Sequence, residues 1–168
     1  MVYWHCKTYY RGVEQPYFQQ LEALITERDD ALIQSQKHLF LAEKVIEYSL
    51  DAIMIADESA NIISVNPAFS AITGYKAREV IGKPASILNS GFHDKSFYQH
   101  MWHNINHVGS WQGEIWNRSK NGEVFPEWFN IVKIGNDIDG DIHYAGIFND
   151  ITERKNARQN QLLLRLMS

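Results

Sequence analysis

Four histidines lie near one another at positions 93, 100, 103 and 107, and the i, i+3, i+7 spacing of the last three puts them on one helical face. Imidazoles so placed can ligate a metal, and His93 or His100 could supply an axial ligand to haem. Their setting favours the other reading, a solvated face. That face opposes an apolar stripe of Phe97, Met101 and Ile105, with Asp94 the lone carboxylate nearby, and no His-Glu-x-x-His arrangement occurs. Cys6 is the single cysteine and has no base near it in sequence. Gly-x-Ser-x-Gly, phosphate-cradling and dinucleotide glycine patterns are also absent, so no catalytic set and no enzyme is expected.

Asn117 and Glu127 carry a different kind of chemistry. Asn121-Gly122 stands between two alternating apolar and polar runs, a strong hairpin signal, so residues 110–118 and 123–133 are expected to be paired strands. Alternation along the strands groups Trp111, Gly113, Ile115 and Asn117 with Phe125, Glu127, Phe129 and Ile131 on one face. Two polar side chains are thus aimed into an apolar layer, where an unpaired group costs about 1–3 kcal/mol. Either they bond to each other, to backbone or to a buried water, or a ligand supplies the partner. The opposite face carries Trp116, Pro126 and Trp128, and is expected to be covered by a helix or a partner chain.

The 168 residues suit one domain with appendages. A net charge of −4 gives no footprint for nucleic acid or an anionic membrane, and no apolar run is long enough for a span. One cysteine excludes a disulfide framework and fits a reducing compartment, so the cytoplasm is the expected location.

Residues 1–16 read as an irregular aromatic segment, because Gly12 and Pro16 argue against a continuous helix. From 17 to 49 there is neither Gly nor Pro. Leu21, Ile25, Leu32, Leu39 and Ile46 fall on a heptad seam interrupted at Arg28 and Ser35, so the helix is either a dimerising coiled coil or an amphipathic helix on its own domain. Residues 51–57 and 61–66 are short strands around Glu58-Ser59-Ala60. Asn66-Pro67 opens a short helix with Phe69 and Ile72 that Gly74 ends, and Asp94 caps a longer one reaching about His107, with Phe97, Met101, Ile105 and Val108 as its stripe and Trp102 alongside. Residues 142–149 form a fifth strand, and Ile147 joins the outer face. Asp150-Ile-Thr152-Glu153 has the spacing of a capping box for an exit helix whose leucines have nothing after them to pack against, as in a fragment of a longer protein. Five strands with helices grouped between them indicate an α+β fold.

Asp51-Ala-Ile-Met-Ile-Ala-Asp57, Val65-Asn-Pro-Ala-Phe69, Thr73-Gly-Tyr75, Gly109-Ser-Trp-Gln-Gly-Glu-Ile-Trp-Asn-Arg118 and Asp150-Ile-Thr-Glu-Arg154 together resemble a PAS domain. The resemblance implies a five-stranded antiparallel sheet with short helices on one face over residues 50–152, a long N-terminal helix at 17–49 and the start of a signalling helix at 153–168. Ser90-Gly-Phe-His-Asp94 and Trp111-Gln-Gly-Glu-Ile-Trp-Asn117 are similar to PAS domains of bacterial cyclic di-GMP proteins with GGDEF and EAL output domains, neither of which is present here. Members bind haem, flavins or metabolites between sheet and helices, or bind nothing. By position Asn117 and Glu127 resemble the residues that flavin-binding relatives use on the isoalloxazine edge, with Phe148 beside them. Phe69, Ile72, Met101, Trp102, Trp111 and Phe129 are the expected apolar lining. The photoactive cysteine of the light-sensing branch is missing, which leaves two readings open: a redox-responsive FAD or FMN, ahead of haem, or a pocket filled by Trp102, Trp111 and Phe129 themselves. The expected assembly is a homodimer formed through the N-terminal helices near Trp116 and Trp128, with Asp150 and Thr152 starting the output path.

Overall fold

The computed structural model describes the backbone of residues 2–135 and 140–167, and the side chains of 16–135 and 140–167. It divides into two units, residues 1–45 and 46–168. The first is a single helix, α1 (Val2–Tyr48), which runs on into the second unit. Residues 2–16 are therefore helical, contrary to the irregular segment expected. Pro16 removes one N–H and crowds the carbonyl four residues earlier; that carbonyl belongs to Gly12, the residue type whose backbone yields most easily. Tyr3, Trp4, His5, Cys6, Tyr9 and Tyr10 lie outside the described side chains. Along the seam Leu21, Ile25, Leu32, Leu39 and Ile46 are all exposed.

The second unit holds β1 (Ala52–Ala56), β2 (Ile62–Val65), α2 (Pro67–Thr73), α3 (Ala77–Val80), a 3-10 turn at Ala85–Leu88, α4 (Lys95–Val108), β3 (Ser110–Arg118), β4 (Val124–Gly135), β5 (Ile142–Asp150) and α5 (Thr152–Leu166). The five strands form one antiparallel sheet in the order β2-β1-β5-β4-β3. Asn66 ties its start together. Its Oδ1 accepts from Phe69 N and Ile53 N, capping α2 and holding β1, while its Nδ2 donates to the carbonyls of Ile46 and Asp51. Gly74 ends α2 at φ 75°, the left-handed conformation that glycine adopts without a Cβ penalty.

Ala52, Met54, Ile115, Phe129, Ile131 and Phe148 form the inner face of the sheet, under Phe69, Val80, Leu88, Met101 and Ile105. The alternation of β4 is as expected except at Pro126: Phe125, Glu127, Phe129 and Ile131 are buried and Trp128 and Asn130 exposed, while Pro126 of the outer face is buried too. Val108 is not part of the inward stripe. It is 73% exposed, on the last turn, where Gly109 turns the chain into β3. The exit helix also starts one residue later than the capping-box spacing expects, with Ile151 at the N-cap. Asp150 stays in the ladder opposite Glu127, Ile151 N donates to Pro126 O, and the Asp150 carboxylate accepts from Thr152 N across the turn.

Candidate functional site

A cavity of about 330 Å³ lies between the inner face of the sheet, α4 and the 84–89 segment. Met54, Ile115, Phe129 and Ile131 give it an apolar floor, with Met101 and Trp102 from α4 and Tyr144 from β5 on its walls. Its volume falls within the roughly 300–1,000 Å³ of small-molecule sites. Gly146 helps to shape it, because a methyl group there would meet the Phe129 ring at 2.7 Å.

One end of the cavity is polar. Asn117 lines it and donates from Nδ2 to Glu127 Oε1 at 2.8 Å, so the two polar residues of the inner face do pair. The pairing is incomplete. Glu127 is fully buried and its Oε2 has no hydrogen-bond partner among the described residues; the same holds for the hydroxyl of Tyr98, which also lines the cavity. Burial, reinforced by Asp150 and only partly offset by the Asn117 bond, pushes the Glu127 pKa up to about 8. At neutral pH it is a neutral acid with a proton to donate. Burial also raises the Tyr98 hydroxyl, with Glu127 adding to the effect. A hydroxyl and an amide in the lining of an apolar chamber, the amide backed by a buried acid, suit the hydrogen-bonding edge of a flat, uncharged ring system, whereas an anion would meet no compensating cation in the lining.

Asn117, Met101, Trp102 and Phe129 reach this cavity, but the other expected lining residues do not. Phe148 and Phe69 pack edge to face beneath it at 5.9 Å, and Phe148 meets Phe129 in the same way at 5.2 Å. Ile72 lines a separate groove with Lys120 and Asp150, and Trp111 packs on Phe97. Tyr98, Tyr144, Asn89 and Gly146 line the cavity and were not singled out from the sequence. Tyr98 had a signal, since Tyr98, Met101, Trp102 and Ile105 follow i, i+3, i+4, i+7.

Elsewhere, Trp116 has covers from within its own unit. Phe92 stacks on it at 5.0 Å, Lys155 of α5 lies 4.9 Å from its ring, and its indole N–H donates to Glu114. The chain turns the 92–94 loop and α5 toward this ring, so the intervening sequence supplied the cover. Trp128 stays 46% exposed, with Val132, Ile134 and Ile147 exposed on the same sheet. Thr152 Oγ1 is buried with no partner among the described residues. His100, His103 and His107 are exposed, His103 and His107 stacking on each other, whereas Nε2 of His93 accepts from Trp116 N at 3.0 Å.

An antiparallel five-stranded sheet enclosing a cavity under short helices, with a helix on either side in sequence, defines a sensory module of the PAS class. The chain belongs to that family: the model described as "PAS domain" matches residues 50–153. The chain is 29% identical over 118 residues to a nitrogen fixation regulatory protein of Klebsiella oxytoca, an alignment covering 70% of this chain and 24% of that one. It thus spans about a quarter of that relative's length. A crystallised PAS domain from Colwellia psychrerythraea is 26% identical with a TM-score of 0.64, over 68% of this chain and 98% of that one. An RNA-binding light-oxygen-voltage receptor has the same identity and score, over 76% and 36%. Among the described residues no helix is long and apolar enough to cross a membrane.

Proposed function

We propose that this is a non-enzymatic, cytoplasmic sensor domain that takes a flavin, FAD or FMN, in the cavity and responds to its redox state. The observation that carries the reading is the polar end of an otherwise apolar chamber, lined by the Asn117 amide and the Tyr98 hydroxyl, with Glu127 bonded to Asn117 from outside the lining; the Tyr98 hydroxyl and Glu127 Oε2 are buried without partners among the described residues. The resemblance to flavin-binding members of the family and the light-oxygen-voltage relative support it. A bound flavin would supply a reversible two-electron centre. Asn117 would hold its polar edge, Glu127 would keep Asn117 oriented, and Met101, Trp102 and Phe129 would keep water from its rings. With the single cysteine at position 6, outside the domain, thiol-adduct photochemistry has no nucleophile there.

The absorbance spectrum of the purified protein, followed by titration of stripped protein with FMN and FAD, tests this. Flavin bands and uptake of either are expected, and Asn117→Leu should weaken uptake roughly tenfold through loss of one polar contact. The exposed Lys83→Ala should leave it unchanged. A Soret band would make haem the cofactor instead; a featureless spectrum with no uptake of either flavin would remove the cofactor reading, and equal affinities of the two variants would remove Asn117 from the site.

A second observation favours dimerisation, with or without a ligand. Leu21, Ile25, Leu32 and Leu39 recur at heptad spacing along α1 and are exposed, the pattern that a two-stranded coiled coil would bury. We propose a homodimer joined through α1, with an expected solution mass of twice 19.5 kDa. Deleting residues 1–44 should yield a monomer; a full chain that stays at 19.5 kDa at high concentration would end the proposal. For the output we propose a domain beyond α5 that makes or degrades cyclic di-GMP, supported by the wording of the 90–94 and 111–117 segments alone. Assay of the longer protein on GTP and cyclic di-GMP decides it.

A further inference from the structure

β3 is an edge strand, and its outward backbone groups at Trp116 are satisfied by side chains of the preceding loop. Trp116 N donates to His93 Nε2 at 3.0 Å, and the Ser90 hydroxyl donates to Trp116 O at 2.5 Å. Arg118 holds Ser90 O in turn, and Asn89 forms a bridge to Asn117. Phe92, from the same loop, stacks on the Trp116 ring. On that ring also lies Lys155 of the first turn of α5, which is ion-paired with Glu114 beside it. The loop, the edge strand and the exit helix therefore meet at one residue.

Accepting from a backbone N–H requires an unprotonated Nε2, so the contact exists only while His93 is neutral. We propose that residues 89–94 form a proton-operated strap on the edge of β3, closed by neutral His93 and linked through Trp116 to the start of α5. Protonation places an N–H on Nε2 facing the N–H of Trp116, two donors without an acceptor, and the strap lifts together with Phe92. The face of Trp116 that Phe92 covered is then bare, and the docking of Lys155 against Glu114 and the indole changes with it.

The groups around His93 set the direction. Phe92, Phe97 and Tyr98 surround the ring, with Phe97 stacked on it at 3.9 Å, and this burial lowers the His93 pKa below 6.5. Asp94 on its own loop and Glu114 on β3 pull the other way and are outweighed. Lys155 on α5 offsets Glu114 through their ion pair, and Arg118 on β3 adds positive charge where it holds Ser90. A base with a lowered folded pKa stabilises the closed strap fully above 6.5. That stability is lost as the pH falls from 6.5 toward the lowered value, because in that window only the open strap binds the proton.

Nuclear magnetic resonance of the whole chain from about pH 8 to about pH 5 tests the strap. The His93 ring and the Trp116 amide are expected to titrate with one midpoint below 6.5, and the amides of 152–156 to move with them. Protection of the Trp116 amide, corrected for intrinsic exchange, should fall severalfold over the same range. His93→Gln, whose carbonyl can accept from Trp116 N without titrating, should stay protected throughout. A Trp116 amide that ignores the titration of His93, or a His93→Gln variant with the wild-type response, overturns the strap. A Trp116 response with no movement at 152–156 overturns its link to α5.

Discussion

Glu127→Gln is expected to raise the stability of the ligand-free protein by about 3 kcal/mol at pH 7 and about 4 kcal/mol at pH 8, yet leave it nearly unchanged below pH 4.5. The difference comes from where the proton sits. Below 4.5 the carboxyl is protonated both folded and unfolded. Between 4.5 and about 8 the folded protein keeps the proton while the unfolded chain releases it, so the wild type loses stability with rising pH, at about 1.4 kcal/mol per unit. Above about 8 both states are ionised and the loss levels off. Glutamine has the shape of the neutral acid and keeps an oxygen for the Asn117 N–H, without a proton to lose. Urea unfolding of both proteins at pH 5, 7 and 8 measures the gap. Curves that run parallel across that range would mean that Glu127 is not held neutral.

Phe148→Ala should cost about 3–5 kcal/mol, the range for removing a buried ring that its neighbours cannot collapse to fill. Phe148 is 1% exposed on β5 and makes edge contacts with both Phe69 and Phe129, so it joins α2 to the sheet beneath the cavity. Its neighbour Ile147 points to the other face and is 39% exposed; Ile147→Ala should cost less than about 1 kcal/mol. Urea midpoints of the two variants give the comparison. Losses of similar size would contradict the assignment of the two faces of β5.

Local rules wrote most of the fold into the sequence. Asn66-Pro67, Asp94 and Gly74 are legible because a cap or a left-handed turn needs particular residue types within three or four positions. The faces of β3 and β4 follow from a period of two, which is how Asn117 and Glu127 could be placed inside before any contact was known. Capping at Asp150 failed because a non-local competitor, the ladder to Glu127, keeps that residue in the strand. Proline at position 16 misled for the converse reason: a long helix absorbs one missing bond when glycine stands four residues before it. Within the site, the cavity wall combines residues from β1, α4, β3, β4, β5 and the 84–89 segment, and sequence spacing carries no record of which elements meet. Phe148 on β5 and Phe69 on α2 were both expected in the lining, and pack on each other outside it. The role of Trp116 was hidden in the same way, since its covers come from 24 positions before it and 39 after.

The chain itself covers part of each edge of the sheet, and this bears on aggregation. At the β3 end, the 89–94 loop occupies Trp116 and Asn117, leaving the outward backbone of Gln112 and Glu114 for any visiting strand. At the β2 end, Ile62 N donates to Lys83 O, Gly82 N donates to Ile62 O, and Asn61 bridges Pro84. Unpaired edges are the templates on which sheets of separate molecules join into fibrils. Loops that cap part of both edges shorten the stretch on which a strand of another molecule could pair, and so disfavour fusion of sheets at high concentration or side by side in an oligomer.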